Sequence, residues 1–211
     1  MDVVIITLCR KSLAKTIQSA YEVIPETNII LVTDRIRPNL TLGMLRNKGL
    51  AKAHSEYVCF LDDDIVVNKD WYYKCMKRLQ DESTIAVAGT STVGDTLGCM
   101  ICKTNQFKEV GGFPRLDCYI EDKLGNRFVV VSDAICEHDV PRGLAVIQHT
   151  LNSLMRDRQT ETKVGVYHNP IVSAKQIVSY VKRGTPDYVI CELLWIVKTF
   201  FSLPYIIGDK R

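Results

Sequence analysis

Residues 57–64, YVCFLDDD, constrain the fold more than any other stretch of the chain. Five residues with little polarity are followed directly by Asp62, Asp63 and Asp64. A short apolar run with polar neighbours is typical of a strand buried on both faces of a parallel sheet. Three adjacent carboxylates cannot follow it into the core unpaired, because burying unpaired charge costs too much free energy. We therefore expect the strand to end at these carboxylates, at the sheet edge where open α/β sheets bind ligands.

The three carboxylates have two interpretations. Alternation along a strand would aim Asp62 and Asp64 to one side and Asp63 to the other, which gives a pair suited to a hard divalent cation that carries a phosphate. An acidic turn that caps the next helix is the alternative. Residues 57–64 alone do not distinguish between these two interpretations. The surrounding sequence has to be considered as well.

Strand and helix patterns alternate along the first two thirds of the chain. Helices are expected after Ser12 and over residues 41–54 and 69–80, the last capped by Asn68. The alternation of strands and helices predicts right-handed crossovers and an α/β fold with a mostly parallel central sheet flanked by helices. Strands are expected over residues 3–8, 28–33, 57–61, 85–89, 99–103 and 128–132.

Composition narrows the class of protein. With 211 residues, 46% of them hydrophobic, the chain suits one soluble domain with a tail. A net charge of +3, without basic runs interleaved with aromatic residues, argues against nucleic acid as a partner. The apolar stretch close behind Met1 lacks a basic region before it, so we expect no signal peptide and a cytoplasmic protein.

The eight cysteines are expected to be reduced thiols, most of them in the core. Two alternatives stay open: a disulfide, if the source is a hyperthermophile, and a zinc site. The zinc site would combine Cys118, Cys136 and His138.

Four segments carry a resemblance to a known family. They are VVIITLCR, ILVTD, RNKGLAKAHSEYVCFLDDD and EVGGFPRLDCYIEDKLGNRF, and they lie within about residues 3–140. In sequence and order they resemble the inverting nucleotide-sugar glycosyltransferases of the family 2 type, which have the GT-A fold, a Rossmann-like α/β architecture. The resemblance implies a GT-A core over residues 1–140 and leaves residues 141–211 as a helical C-terminal extension.

The resemblance also implies roles for single residues. Asp62 and Asp64 would bind Mn²⁺ or Mg²⁺, with His138 as a late metal-binding histidine or, alternatively, a polar loop residue. Asp122 would be the catalytic base, with Glu121 beside it. The nucleotide-binding residues implied are Thr7, Arg10, Asp34, Arg46, Asn47, Asp62 and Asp63.

Two departures from the family pattern bear on function. The second strand ends in VTDR, where the family more often has two acids followed by Gly-Ser, which affects the expected contacts with the base. The Q-x-x-R-W motif of processive members is missing, so transfer of a single sugar is expected.

The chemistry of sugar transfer agrees with these roles. The leaving diphosphate needs its charge neutralised by a metal ion, and the acceptor hydroxyl needs a base such as Asp122. Simpler explanations exist: Glu121 and Asp122 would also be favourable in the first turn of a helix, and Gly111-Gly112 would suit a plain turn as well as a close approach to a sugar.

The last third of the chain is less informative. Basic residues such as Arg142 and Arg156 could meet an anionic acceptor or simply be solvated. Residues 189–207 are mostly apolar, but two charges and Pro204 argue against a membrane span. An interfacial helix at the membrane surface or a homodimer contact is expected there, with packing onto the domain as the alternative.

These observations predict a metal-dependent inverting glycosyltransferase that moves one sugar from a UDP- or GDP-sugar to a hydroxyl acceptor, which could be a glycan or linked to lipid or protein. One alternative is a sugar-nucleotide nucleotidyltransferase, which would want a glycine-rich loop after the first strand, where LCRKSL has no glycine. Another is a catalytically silent nucleotide-sugar-binding module, against which Asp62, Asp64 and Asp122 argue.

Overall fold

A computed structural model of the protein describes residues 1–7, 12–33, 41–92, 97–114 and 119–139, and positions 147, 177, 178, 181, 186, 189, 190, 193 and 194. The chain divides into two units, Met1–Asp139 and Val140–Arg211. In the second unit the positions described are helical, among them Val189, Ile190, Leu193 and Leu194. The remainder of the predicted interfacial helix lies outside the described residues. No helix in the described part of the chain is long and apolar enough to span a bilayer.

The described segments of the first unit contain a seven-stranded sheet. Its strands are β1 Asp2–Ile6, β2 Asn28–Val32, β3 Tyr57–Asp62, β4 Ile65–Val66, β5 Ala86–Ser91, β6 Cys99–Lys103 and β7 Phe128–His138. Their order in the sheet is β2-β1-β3-β6-β5-β7-β4. The pairs β1–β2, β1–β3 and β5–β7 are parallel, whereas β6 runs antiparallel to β3 and β5, and β4 runs antiparallel to β7.

The predicted α/β fold with a mostly parallel sheet is confirmed: five strands of this sheet run in one direction, and β4 and β6 run opposite to them, so the sheet is mixed rather than purely parallel. Adjacent parallel strands need a crossover of about a dozen residues or more. Only residues 92–98 separate β5 from β6, so these neighbours run antiparallel. The sequence pattern predicted a strand over residues 99–103. It did not predict the direction of this strand, because the direction depends on which strands it pairs with.

In the described segments of the first unit, five α-helices flank the sheet: α1 Leu13–Val23, α2 Leu42–Lys52, α3 Lys69–Leu79, α4 Thr104–Glu109 and α5 Ile120–Leu124. The side chain of Asn68 caps α3 as predicted, accepting a hydrogen bond from the Trp71 amide at 2.9 Å. Ser12 occupies the N-cap of α1 but makes no side-chain capping bond. No sequence pattern predicted α4 or β4, because each is short.

The core has two layers, one on each face of the sheet. Val58 and Phe60 of β3 face a cluster that includes residues of α2, α4 and α5. Cys59 and Leu61 face a second cluster that includes residues of α1 and α3. The prediction that β3 is buried on both faces is therefore confirmed.

The cysteines of the described segments are free thiols in the core, as expected. Burial raises the pKa of the Cys75 thiol to about 12 and that of Cys59 well above its usual range. The predicted zinc alternative gains no support, because no metal-binding group of three or more ligands occurs among the described residues, and Cys118 lies outside them. The free cysteines are Cys59, Cys75, Cys99, Cys102 and Cys136.

Asp2 ties together three segments at the end of the sheet opposite the acidic residues. Its Oδ2 accepts hydrogen bonds from the backbone amides of His54 and Ser55 at 2.6 and 2.7 Å. Its Oδ1 accepts one from Asn28 Nδ2 at 2.7 Å. The carboxylate thus joins the first residue of β1 to the start of β2 and to the turn before β3.

We predict that the Asp2 carboxylate makes the free energy of unfolding depend on pH in the acidic range. Burial by itself would raise the pKa of Asp2, but the hydrogen bonds from Ser55, Asn28 and His54 outweigh it and lower the pKa from 3.8 to about 2. A depressed pKa contributes stability above pH 3.8, and that contribution is lost as the pH falls toward 2. Urea unfolding between about pH 5 and pH 2.5 should show a steeper loss for the wild type than for Asp2→Asn. Equal slopes would contradict the role given to Asp2.

A second prediction concerns the contact between α2 and β1. A Cβ added at Gly49 would lie 2.2 Å from Val4 Cγ1, a severe overlap in the core. Helix propensity favours Gly49→Ala by about 1 kcal/mol, whereas overpacking costs about 1–3 kcal/mol, so we expect a net loss of unfolding free energy. Ala51→Gly, at an exposed position of the same helix, measures the propensity effect alone. A Gly49→Ala protein more stable than the wild type would show that the α2–β1 contact is looser than described.

Candidate active site

The acidic turn, residues 62–64, lies where β3 ends. Asp62 is the last residue of β3, Asp63 and Asp64 form a turn, and β4 begins at Ile65. The alternation from which Asp62 and Asp64 were expected on one side therefore stops at Asp62. Instead, each of the three carboxylates contacts a different element of the fold.

Asp62 contacts α2. Nη2 of Arg46 donates a hydrogen bond to Oδ1 of Asp62 at 2.8 Å. The Arg46 side chain is 2% exposed and that of Asp62 26%, so the cation is buried and the anion reaches the surface. The Arg46 guanidinium also lies 5.5 Å from the centroid of the Phe113 ring, a cation–π distance. Arg46 thus holds Asp62 from inside the protein and leaves part of its carboxylate exposed.

Asp63 contacts the end of β1. The Thr7 hydroxyl donates a hydrogen bond to Asp63 Oδ2 at 2.9 Å, and both residues are buried. Because a buried carboxylate needs such donors, this contact helps to fix the acidic turn against β1.

Asp64 contacts the end of β7. Its Oδ1 lies 3.1 Å from His138 Nε2, and the two side chains are mostly buried. The backbone confirms the proximity, since the Asp139 amide donates to the Asp64 carbonyl at 2.6 Å and Ile65 pairs with His138. The sheet therefore brings together two residues that are 74 positions apart in the sequence.

The Asp64–His138 pair has a donor set and spacing that fit one divalent cation. Adjacent ligands of an octahedral ion at about 2.1 Å are about 3 Å apart, close to the 3.1 Å between Asp64 Oδ1 and His138 Nε2. No group of three or more His, Cys, Asp or Glu residues in the described segments is placed to bind a metal. Protein sites that bind a cation together with a phosphate commonly supply only one or two carboxylates, so a pair is sufficient for that purpose.

Asn47 contacts the loop of residues 111–113 rather than the acidic turn. Its Nδ2 donates to the Phe113 carbonyl and its Oδ1 accepts from the Phe113 amide, both at 2.8 Å. The Phe113 ring packs edge-on against Phe60 of β3 and Phe107 of α4, with centroid distances of 4.8 and 5.0 Å. The loop is therefore joined to α2 by its backbone and to the core by its aromatic ring.

Glycines are required where this loop passes α2. Gly111 and Gly112 have φ angles of +80° and +60°, a region that favours glycine. A Cβ at Gly112 would lie 2.3 Å from Asn47 Oδ1. Both the turn geometry and the close approach to Asn47 thus explain the glycine pair within the protein itself.

Glu121 and Asp122 occupy the first turn of α5 and are exposed. This placement agrees with the helix-terminus interpretation and also leaves both carboxylates accessible to a bound molecule. The next residue, Lys123, donates from Nζ to the carbonyls of Gly111 and Gly112 at 3.1 and 2.6 Å. Lys123 therefore links α5 to the loop of residues 111–113.

The structure thus brings most of the predicted site residues into one connected set. Thr7, Arg46 and His138 contact the acidic turn directly. Asn47 follows Arg46 in α2 and binds the loop of residues 111–113. The same loop accepts hydrogen bonds from Lys123, the residue next to the acid pair of α5. Two predicted residues, Arg10 and Asp34, lie outside the described segments.

Two residues of this set, Phe113 and Lys123, were not predicted from the sequence. Phe113 stands in the quoted segment EVGGFPR, where an apolar residue after two glycines is a signal for a loop that packs on the core. Lys123 gave no signal, because its acceptors are backbone carbonyls that any sequence would provide.

The acidic turn lies in a segment that matches a protein family. Residues 32–99 match the model of glycosyl transferase family 2. The matched segment includes Arg46, Asn47 and the acidic turn, and it ends before α5 and His138. No curated protein matches the chain by sequence.

Solved structures with similar folds include glycosyltransferases. The mannosyltransferase PcManGT from Pyrobaculum calidifontis, in complex with GDP-Man and Mn²⁺, is 14% identical, with a TM-score of 0.58 over 100% of this chain and 87% of that one. S. aureus TarS is 15% identical, with a TM-score of 0.52 over 76% of this chain and 66% of that one. The catalytic domain of Drosophila β1,4-galactosyltransferase 7, in complex with xylobiose, is 13% identical, with a TM-score of 0.51 over 63% of this chain and 65% of that one. These likenesses show that the chain has the fold of these glycosyltransferases, the GT-A fold.

Proposed function

We propose that the protein is a metal-dependent inverting glycosyltransferase that moves a single sugar from a UDP- or GDP-sugar to a hydroxyl acceptor. The observation that carries this proposal is the Asp64–His138 pair next to the Arg46–Asp62 ion pair at the carboxyl end of β3. Open α/β sheets bind their ligands at such an edge. The site has a carboxylate–imidazole pair for a cation and a partly exposed carboxylate for the nucleotide.

Asp64 and His138 would bind the divalent cation. When bound, Mn²⁺ or Mg²⁺ would neutralise the charge that develops on the leaving diphosphate. An imidazole ligand suits transition metals better than Mg²⁺, so the pair favours Mn²⁺ of the two. PcManGT, similar in fold, is described in complex with Mn²⁺ and GDP-Man, which supports the same use here.

Asp62 would orient the nucleotide. Its side chain is 26% exposed while Arg46 holds one of its oxygens from the buried side. A carboxylate in this position can accept a hydrogen bond from a ribose hydroxyl without leaving its own partner. Thr7 and Asp63, both buried, would keep the acidic turn in place beneath the nucleotide.

Asp122 would be the general base. It would take the proton of the acceptor hydroxyl as that oxygen attacks the anomeric carbon of the donor sugar. The bond between this carbon and the diphosphate oxygen breaks at the same time, and the electron pair leaves with the diphosphate. Attack from the face opposite the leaving group inverts the anomeric configuration. The exposure of Asp122 leaves it open to an acceptor.

The alternative enzyme class, a sugar-nucleotide nucleotidyltransferase, would form and break different bonds. A nucleotidyltransferase joins a sugar phosphate to the α-phosphorus of a nucleoside triphosphate and releases pyrophosphate. The match to glycosyl transferase family 2 favours sugar transfer. The acceptor, and the predicted membrane or homodimer contact of residues 189–207, stay predictions.

The metal assignment predicts that nucleotide binding depends on Asp64. UDP or GDP with Mn²⁺ should raise the melting temperature well above that in EDTA, since a ligand at 100 times its Kd stabilises by about 2.7 kcal/mol. Asp64→Ala should remove this difference, and His138→Ala should reduce it. Asp133→Ala is the matched control, because Asp133 is an exposed acid of β7 that contacts Lys74. Metal-dependent stabilisation of normal size in Asp64→Ala would rule out Asp64 as a ligand.

The base assignment predicts a loss of turnover without a loss of donor binding. Asp122→Asn keeps the size of the side chain but removes its basicity, so kcat should fall by about 10²–10⁴. The Kd of the donor should stay within about twofold, because the base faces the acceptor. Glu121→Gln serves as the neighbouring control and should cost less.

NMR of the product should show the anomeric configuration inverted relative to the donor. A retained configuration, or near-normal turnover in Asp122→Asn, would disprove the mechanism.

A further inference from the structure

Lys123 is a polar side chain that connects α5, the helix of the proposed base, to the loop of residues 111–113. Its ammonium donates to two successive carbonyls, those of Gly111 and Gly112, which precede it by twelve and eleven residues. Asp122 is its immediate neighbour in the sequence. A shift of Lys123 would therefore move the backbone that carries Asp122.

The helix α5 needs such a contact because it is short. It has five residues, and helices of fewer than about 12 residues are marginal in water without tertiary contacts. Ile120 and Leu124 supply an apolar contact, since both are buried in the core. Apolar packing is non-directional, whereas a lysine that binds two carbonyls fixes one orientation of the first turn.

The acceptors of Lys123 are themselves fixed relative to the acidic turn. Asn47 binds the backbone of Phe113 with two hydrogen bonds, and the adjacent residue Arg46 binds Asp62. Continuous contacts therefore lead from Asp62 through α2 and the loop of residues 111–113 to Lys123.

We propose that Lys123 is a positioning residue that places Asp122 relative to the donor site through its contact with the Gly111 and Gly112 carbonyls. The inference rests on the proposed function, because it takes Asp122 to be the base. A misplacement of about 1 Å in a reacting group can cost about 10²-fold in rate. Loss of the Lys123 ammonium therefore lowers turnover while the donor site stays intact.

Lys103 offers a matched control for a merely structural lysine. It too donates from one ammonium to two successive carbonyls, those of Asp81 and Glu82, at 2.9 and 3.4 Å. It lies at the last residue of β6, paired with Tyr57, the first residue of β3. The two lysines thus share a chemistry, but Lys103 lies at the end of β3 opposite the acidic turn.

The test compares Lys123→Met, Lys123→Arg and Lys103→Met in kcat, donor Kd and melting temperature. Lys123→Met should lower kcat by about 10–100-fold and leave the donor Kd within about twofold. Lys123→Arg keeps a cationic donor and should restore kcat to within about threefold of the wild type. Lys103→Met should lose comparable stability but keep kcat within about threefold. Equal losses of kcat in Lys103→Met and Lys123→Met, or no rescue by Lys123→Arg, would overturn the proposal.

A double mutant separates this inference from the proposed function. If Lys123 acts through Asp122, adding Lys123→Met to Asp122→Asn should lower kcat no further than Asp122→Asn alone. An equal further loss in both backgrounds would refute the positioning role while the base assignment stands. Near-normal turnover of Asp122→Asn itself would instead refute the base. Should Lys123→Met not fold, Lys123→Gln, which can still donate to a carbonyl, takes its place with a smaller expected loss.

Discussion

Three adjacent carboxylates at the end of a buried strand must each find a compensating partner, and the architecture around β3 supplies three. Arg46 comes from α2, Thr7 from the end of β1, and His138 from the end of β7. Asp63 and Asp64 are buried, and a buried charge without a partner would cost more free energy than a typical side-chain contact contributes. The acidic turn therefore determines where three other elements have to lie, and the same requirement assembles the site.

The helix α2 relates the acidic turn to the acceptor side proposed for the site. Two consecutive residues perform separate tasks: Arg46 binds Asp62, and Asn47 binds the backbone of Phe113. The Phe113 ring packs against Phe60, which lies two residues before Asp62 in β3. The proposed donor and acceptor sides are thus connected by one packed group of side chains, so a substitution in the loop of residues 111–113 should affect both.

The sequence predicted what depends on local pattern and missed what depends on distant pairing. The apolar run before Asp62 was sufficient to predict β3, and Asn68 was sufficient to predict the start of α3, because both signals lie within a few residues. The direction of β6 and the length of β7 depend on strand pairs that no local pattern specifies. His138 was uncertain for the same reason, since its partner Asp64 lies 74 residues away. Lys123 could not be recognised at all, because it binds backbone atoms.

The most direct test is to locate the cation by anomalous diffraction in crystals grown with Mn²⁺ and UDP or GDP. If the acidic turn is the donor site, the manganese peak should lie about 2.0–2.3 Å from both Asp64 Oδ1 and His138 Nε2, with diphosphate oxygens completing its coordination. The ribose should lie next to Asp62. A manganese peak elsewhere, with the Asp64–His138 hydrogen bond intact beside a bound nucleotide, would contradict the central claim.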